Sequence, residues 1–415
     1  MNLEEKYLLK HGIGKFWVTE PIPEGLEMAV VIPACNEPDI ISTLNSLTGC
    51  HAPPCHVEVF VVINESDQAN DQVKTQNDIT YHECFEWANT LKSTFLSFHI
   101  IKVENILNKV AGVGFARKLG MDEAARRLPG RGIIVCLDAD SLVEENYLTS
   151  LHRHFQINPQ ANGCSIYFEH PLSGTEFKPD IYQKIIQYEL HLRYFVDRQR
   201  WLSLPFACQT VGSSMAVRRD AYMIVGGMNK RKAGEDFYFL QKLIKQGRFT
   251  ECNETTVTPS PRHSDRVPFG TGKAIGAMIK DNSSIYHTYH PSSFEEIKKM
   301  LDSLASGYQS GSISMDGAIK QFLDEENFQE KFANFKHHST GWLSFQKRFY
   351  QWFDAFQMMK LLHVLRDIQY PNIPVMEAIE IVHGKSFATT PKDALIRFRK
   401  EAIEKYPLFR SASLF

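Results

Sequence analysis

The sequence predicts an α/β protein with a mostly parallel central sheet, followed by an α-helical C-terminal domain. Three observations carry this prediction. From residue 28 to about residue 140, continuous apolar runs alternate with helical segments, which is typical of parallel strands covered on both faces. From about residue 290 the patterns are helical throughout. A length of 415 residues would accommodate about three domains of average size, or one large domain with a smaller additional one.

Each element is assigned from its apolar pattern. The predicted strands are Met28–Ile32, Val57–Ile63, His99–Val103, Ile133–Leu137, Cys164–Phe168 and Gln209–Val217. The predicted helices of the first part are Asp39–Leu47, Thr80–Phe95, Val110–Leu128, Ile181–Leu202 and Glu235–Gln246. The C-terminal helices are Phe294–Leu304, Met315–Leu323, Trp342–Leu365 and Lys392–Lys405. We therefore expect an N-terminal extension over residues 1–27, an α/β domain over 28–290 and an α-helical domain over 291–415.

The overall charge argues against a polyanionic partner. The chain has 46 basic and 48 acidic residues, a formal net charge of −2, so no global field attracts it to nucleic acid or an anionic membrane. The N-terminus lacks the apolar core of a signal peptide, and no stretch reaches the ~20 apolar residues that a membrane span needs. Several of the eight cysteines lie within apolar runs, as reduced thiols do. We expect a cytoplasmic protein, with peripheral contact at the inner face of the membrane left open.

Polar side chains stand at or just after the ends of predicted strands, where open α/β sheets bind their ligands. Asn36 and Glu37 follow the first strand, and Asn64 follows the second. Asp138 and Asp140 follow a later buried strand, separated by one residue. Two carboxylates aimed at one point suit Mg²⁺ or Mn²⁺, which also bind diphosphate oxygens. A surface turn is the alternative for such a D-x-D triplet, but its position after a buried strand favours a site.

Three further clusters are less specific. The Gly270–Lys273 segment is not a phosphate loop, because Val267 stands where the motif begins with Gly and Ala274 replaces its Ser or Thr. The Cys50–His56 segment could hold zinc, but no second distant pair of ligands is evident, so a connecting loop is the favoured interpretation. The Pro261–Arg266 segment joins two arginines and a histidine, which suits a diphosphate; the alternative is a solvated loop.

Five segments in this order resemble the motifs of family 2 glycosyltransferases of the GT-A fold. They are Val31–Glu37, Asn108–Arg117, Asp138–Ser141, Gly212–Arg219 and Gly234–Asp236. The resemblance covers roughly residues 28 to 280. It implies a nucleotide-sugar donor, a divalent metal ion and a single displacement that inverts the anomeric centre.

The resemblance also implies roles for individual residues. Asp236 would be the general base, with Glu235 orienting the acceptor; the alternative is that both only complement the positive end of a helix dipole. The implied metal ligands are Asp138, Asp140 and His263, with Mn²⁺ or Mg²⁺ as the ion. The implied nucleotide-sugar site comprises Pro33, Ala34, Asn36, Glu37, Asn64, Lys109, Gly112, Arg117, Asp138, Ala139, Arg262 and Arg266. Two positions depart from the family pattern: Cys35 replaces a Tyr, and Asn64 replaces an Asp.

We therefore predict a metal-dependent glycosyltransferase that moves a sugar from a nucleotide-diphosphate donor to an acceptor hydroxyl. The acceptor could be a saccharide, a small molecule or a lipid-linked group. One alternative is a retaining transferase or a nucleotidyltransferase on a similar sheet. Another is a catalytically silent sugar-nucleotide-binding or scaffold protein, against which stand the intact Asp138, Asp140 and Asp236.

The C-terminal region carries an aromatic helix face. The aromatic residues recur at three- and four-residue steps, at Trp342, Phe345, Phe349, Trp352, Phe353 and Phe356. Packing against the catalytic domain is the favoured interpretation. A membrane-surface or lipid-acceptor groove and a partner or dimer face are the alternatives.

Overall fold

The computed structural model describes residues 1–264 and 270–405 of the chain. Within them the chain forms two compact units, which we call the sheet unit and the helical unit. The sheet unit contains Met1–Pro171, Thr210–Lys273 and Ile403–Lys405, and the helical unit contains Leu172–Gln209 and Ala274–Ala402. The domain boundaries expected at residues 27 and 290 stay predictions.

The elements are numbered here in chain order. They are α1 (Leu3–Lys10), β1 (Leu26–Ala34), α2 (Ile40–Thr48), β2 (His56–Ser66), α3 (Asp71–Thr90), β3 (Leu96–Ile106), α4 (Val113–Arg127), β4 (Ile133–Cys136), β5 (Ser141–Val143), α5 (Tyr147–Ile157), β6 (Gly163–Phe168), α6 (Pro179–Trp201), β7 (Met215–Arg218), α7 (Arg219–Ile224), α8 (Glu235–Ile244), β8 (Phe249–Pro259), α9 (Thr271–Lys280), β9 (His287–Thr288), α10 (Pro291–Asp302), α11 (Leu304–Ser310), α12 (Gly317–Glu325), α13 (Phe328–His337), α14 (Trp342–Trp352), α15 (Ala355–Ile368), β10 (Ile373–Pro374), α16 (Val375–His383) and α17 (Pro391–Lys405).

Strands β1 to β8 form one mixed sheet within the described residues. The strand order is β3-β2-β1-β4-β7-β6-β8-β5. The strands β3, β2, β1 and β4 are mutually parallel, and β6 is parallel to β8. Strand β7 runs antiparallel to both of its neighbours, and β5 runs antiparallel to β8. The predicted α/β class, the mostly parallel central sheet and the helical C-terminal region are therefore confirmed.

Helix α4 packs closely on the sheet, and Gly120 makes this possible. A Cβ atom at Gly120 would lie 2.5 Å from Val31 Cγ1 of β1 and 3.2 Å from Val62 Cγ2 of β2. These distances are shorter than ordinary van der Waals contact, so α4 lies on β1 and β2 only because residue 120 has no side chain. The start of α4 is thereby held beside the carboxyl ends of both strands.

The N-terminal segment lies along the outer side of α4. Tyr7 donates a hydrogen bond to Asp122 Oδ1 at 2.6 Å, and the Ile13 N–H donates to Asp122 Oδ2 at 2.9 Å. The Trp17 N–H donates to Glu123 Oε1 at 3.1 Å. Buried polar groups need such partners, so residues 1–27 form part of the packing of the sheet unit.

Two predicted helices have different bounds in the structure. Helix α3 begins at Asp71 rather than Thr80, because the Asn70 side chain accepts a hydrogen bond from the Val73 N–H and caps it. The single helix predicted from Trp342 to Leu365 is wrong: α14 ends at Trp352, and the Asp354 side chain caps α15 through the Phe356 and Gln357 N–H groups.

The aromatic residues of α14 lie in the core of the helical unit. Phe345 and Phe349 of α14 and Phe353 just after it are fully buried. The ring of Phe328 in α13 lies 6.2 Å from that of Phe349, and the ring of Phe332 lies 5.0 Å from that of Phe345. The aromatic face is therefore packed against other helices of the same unit. None of the helices in the described part of the chain is long and apolar enough to cross a membrane.

We predict that Gly120→Ala destabilises the sheet unit by about 1–3 kcal/mol, because the added methyl group forces α4 away from Val31. Urea unfolding measures the loss. Gly14→Ala is the matched control, because its Cβ would meet no atom within 4 Å. Equal stability of the two variants would contradict the close packing of α4 on β1.

Candidate active site

The turn after β1 is held by polar side chains of α3. Asn36 has a φ of 50°, in the left-handed region that Asn tolerates, and its N–H donates to Asn77 Oδ1 at 2.8 Å. The Thr80 hydroxyl donates to the Glu37 carbonyl at 2.7 Å. Our sequence reasoning did not single out Asn77 and Thr80. Both are buried in α3, and no sequence signal marked that burial because the helix has little apolar periodicity around them.

The predicted nucleoside-side residues of β1 and β2 are mostly interior. Pro33 and Ala34 are buried in β1, and Asn36 is partly exposed. Asn64 is only 3% exposed. In the amide orientation that satisfies both of its polar atoms, it donates to Ala34 O at 3.2 Å and accepts from the Gly112 N–H at 3.1 Å. Asn64 thus ties the ends of β1 and β2 to the start of α4. Its expected contact with the nucleotide base stays a prediction.

The two aspartates after β4 each meet an arginine. Arg117 Nη2 donates to Asp138 Oδ1 at 2.5 Å, and Arg262 Nε forms an ion pair with Asp140 Oδ2 at 2.8 Å. The Asp138 side chain is 40% exposed and that of Asp140 is 24% exposed, so both are partly accessible to solvent. Between them, the buried Ala139 contributes its carbonyl to a hydrogen bond from the Thr43 hydroxyl at 2.9 Å.

Arg262 joins the turn after β1 to the aspartates. Its Nη1 donates to Glu37 Oε1 at 2.8 Å and its Nη2 donates to Glu37 Oε2, while its Nε faces Asp140. A bidentate pair of this kind is geometrically specific, and Glu37 is only 2% exposed. The guanidinium expected to support a diphosphate therefore links two carboxylates in this structure. Arg266, its predicted companion, lies outside the described residues.

The N-terminal end of α4 carries three of the predicted nucleotide-binding residues. Lys109 is exposed in the preceding turn, and Gly112 packs close to Lys232, whose Cα would lie 3.2 Å from an added Cβ. Arg117 is only 1% exposed, and its predicted role in nucleotide binding stays a prediction. Its guanidinium lies within a group of carboxylates.

Glu235 and Asp236 begin α8, directly after Gly234 in the left-handed region with a φ of 67°. Glu235 is 3% exposed and accepts a hydrogen bond from Arg117 Nη1. Asp236 is partly exposed, and its Oδ1 accepts from the Phe237 N–H at 2.7 Å. Of the two residues, Asp236 is therefore the one that keeps some surface accessible to solvent.

The electrostatics of this pair follow from burial. Burial raises the pKa of Glu235 to about 7, and the neighbouring Asp236 carboxylate adds to the rise while Arg117 opposes it. Burial likewise raises the pKa of Asp236 above the usual range of an aspartate, again opposed by Arg117. A carboxylate with a raised pKa is a stronger base once it is ionised, which suits proton abstraction near neutral pH.

A metal site made of side chains alone is not formed. In residues 1–264 and 270–405, no three His, Cys, Asp or Glu side chains are grouped so that they could hold a metal ion. His263 is exposed and does not join Asp138 and Asp140 in such a group. Two carboxylates nevertheless fit a hard cation that takes its remaining ligands from water and substrate phosphates, as Mg²⁺ usually does.

One family model matches the middle of the chain, in a stretch that includes parts of both units. Residues 133–299 match the family model described as glycosyl transferase family group 2. This match covers strands β4 to β9 and the segments that carry Asp138, Asp140, Glu235 and Asp236. The predicted resemblance to family 2 glycosyltransferases, and with it the predicted enzyme class, is confirmed. None of the curated proteins matches the sequence.

Several solved structures are similar to the chain at low identity. TarS residues 1–349 from S. aureus, in complex with UDP-GlcNAc, is 13% identical with a TM-score of 0.39, over 92% of each chain. The mannosyltransferase PcManGT from Pyrobaculum calidifontis, in complex with GDP-Man and Mn²⁺, is 15% identical with a TM-score of 0.38, over 97% of this chain and 93% of that one. At such scores these similarities carry no argument about donor or acceptor.

We predict that Arg262→Met lowers the free energy of unfolding by about 3–5 kcal/mol, because it leaves the buried Glu37 carboxylate without its guanidinium. Chemical denaturation measures the change. Arg153→Met, at an exposed position of α5, is the matched control and should cost less than about 0.5 kcal/mol. A loss below about 1 kcal/mol for Arg262→Met would mean that other groups hold Glu37.

Proposed function

We propose that this chain, a glycosyltransferase whose residues 133–299 belong to glycosyl transferase family group 2, transfers a sugar from a nucleotide-diphosphate donor to an acceptor hydroxyl with inversion. The observation that carries the proposal is the position of Asp236. Asp236, a partly exposed residue, lies in the first turn of α8 beside Arg117, which also binds Asp138 at the end of β4. A base and a donor-side carboxylate therefore occupy one site.

Asp236 supplies the base that the reaction needs. An acceptor hydroxyl must lose its proton as its oxygen attacks the anomeric carbon, and a carboxylate within hydrogen-bond reach takes that proton. The new bond forms as the bond to the diphosphate oxygen breaks, on the opposite face of the sugar. One such displacement inverts the anomeric centre. Glu235 is buried and paired with Arg117, so it orients the site rather than accepting the proton.

Asp138 and Asp140 supply the donor side. Both are partly exposed at the end of β4, where the diphosphate of the donor is expected by the resemblance. These two residues would hold a divalent ion together with the phosphate oxygens, and such an ion would stabilise the negative charge of the leaving nucleoside diphosphate. Because Arg262 pairs with Asp140 in this structure, we expect Arg262 to exchange that contact for the diphosphate when the donor binds.

We predict that a nucleotide-sugar donor stabilises the protein only when Mn²⁺ or Mg²⁺ is present. A ligand that binds only the folded state raises its stability, by about 2.7 kcal/mol at one hundred times its dissociation constant. Thermal shifts with UDP-GlcNAc, UDP-glucose and GDP-mannose, each with Mn²⁺ or with a chelator, measure the effect. Asp140→Ala should abolish the metal-dependent shift. An undiminished shift with the chelator would contradict the metal proposal while leaving the donor proposal intact.

We predict that Asp236→Asn retains donor binding and slows sugar transfer by 10²–10⁴-fold, because the amide cannot accept the acceptor proton. Release of the nucleoside diphosphate measures turnover, with water replacing the unknown acceptor. Asp71→Asn is the matched control, because Asp71 also lies in the first turn of a helix but is exposed on α3.

Two outcomes would contradict the role of Asp236. Equal loss of donor binding and turnover in Asp236→Asn would indicate a structural role at the start of α8. A product with retained anomeric configuration, determined by NMR, would rule out the single displacement and favour the retaining alternative.

A further inference from the structure

Arg117 is a buried cation that lies among several carboxylates. Its side chain is 1% exposed, its Nη1 donates to Glu235 and its Nη2 donates to Asp138 Oδ1 at 2.5 Å. The two carboxylates come from different elements, the end of β4 and the start of α8. One guanidinium therefore connects the donor side of the proposed site with the helix that carries the proposed base.

The Asp236 carboxylate shares this space, and Gly212 shows how closely. A Cβ atom at Gly212 would lie 2.6 Å from Arg117 Nη1, 3.0 Å from Nη2 and 2.9 Å from Asp236 Oδ2. The guanidinium and the carboxylate thus both lie within 3.0 Å of one point. Only a glycine leaves that point empty, since any other residue would push one of the two groups aside.

The burial of Arg117 separates it from the donor. A guanidinium that is 1% exposed cannot contact a nucleotide without a rearrangement, so it acts through its neighbours. The planar fork of an arginine binds two carboxylates in directions that the point charge of a lysine does not reproduce. Because a buried cation is costly unless it is paired, the carboxylates around Arg117 are held in one arrangement.

We propose that Arg117 is a positioning residue that sets Asp236 relative to Asp138, and that Gly212 is required because its missing side chain lets the guanidinium and Asp236 approach each other. The proposal rests on the proposed function, since it assigns Arg117 to the geometry of that site. Arg117 acts on the rate of transfer and leaves the affinity for the nucleotide unchanged.

The test separates rate from affinity in Arg117→Lys and Gly212→Ala. Calorimetry with UDP and with GDP, each with Mn²⁺, measures nucleotide affinity. Release of the nucleoside diphosphate from UDP-GlcNAc, UDP-glucose and GDP-mannose measures turnover. We expect kcat to fall about 10²-fold in both variants, as a misplacement of about 1 Å does, with dissociation constants within about threefold of wild type. Gly49→Ala is the matched control, because its Cβ would make only ordinary contacts, at 3.5 Å and beyond.

Chemical rescue provides a second measurement that a purely structural role would not produce. In Arg117→Ala, millimolar guanidinium chloride should restore part of the turnover by entering the space of the missing side chain. Methylammonium chloride at the same concentration should restore less, because it lacks the planar fork. The proposal would be overturned if neither cation restores turnover to Arg117→Ala and Arg117→Lys keeps the full turnover of the wild type.

The outcomes distinguish this proposal from the function on which it rests. Loss of UDP or GDP affinity in proportion to the loss of rate would overturn the positioning role and make Arg117 a donor-binding residue. If the wild-type protein turns over the donor and both variants do so at the same rate, the role of Arg117 would be overturned while the proposed function stands. If the wild-type protein binds neither UDP nor GDP and releases neither of them from the donors, the proposed function itself would be overturned.

Discussion

The buried guanidinium of Arg117 is the interaction on which the proposed site depends. A cation removed from water needs paired carboxylates, and here Glu235 and Asp138 satisfy that need from two different elements. The pairing in turn requires α4 to lie tightly on β1 and β2, which Gly120 permits. The N-terminal segment covers α4 from outside and satisfies Asp122. Packing remote from the chemistry therefore determines where the carboxylates stand.

Arg262 is a second arginine that pairs with carboxylates from different parts of the sheet unit. It binds the buried Glu37 with two nitrogens and faces Asp140 with the third, so the turn after β1 and the end of β4 are held by one side chain. The carboxylates of the site are thus paired with two arginines of the sheet unit, Arg117 and Arg262. We therefore expect a donor diphosphate to bind here by replacing some of these contacts, whether or not a metal ion accompanies it. The free energy of that replacement would then set the affinity for the donor.

Local patterns predicted the elements whose signals lie within a few residues. Continuous apolar runs identified β1, β2 and β4, because strands buried on both faces need no polar alternation. The start of α3 was misplaced, since that helix buries mainly polar side chains such as Asn77 and Thr80 and carries little apolar periodicity. Strand β8 was not recognised because threonine and other polar residues interrupt its sequence. The aromatic pattern of α14 and α15 concealed the break that Asp354 imposes.

The sequence by itself determined the α/β class, the resemblance to family 2 glycosyltransferases and the short segments in which Asp138, Asp140 and Asp236 stand, because each depends on residues adjacent along the chain. Only the tertiary structure decided which charges meet. Arg117 and Glu235 are 118 residues apart, and Arg262 and Glu37 are 225 residues apart. Such pairs follow from how α4, α8 and the loop after β8 pack around the sheet. Local spacing contains no information about that packing, so the partners of each guanidinium could not be read from it.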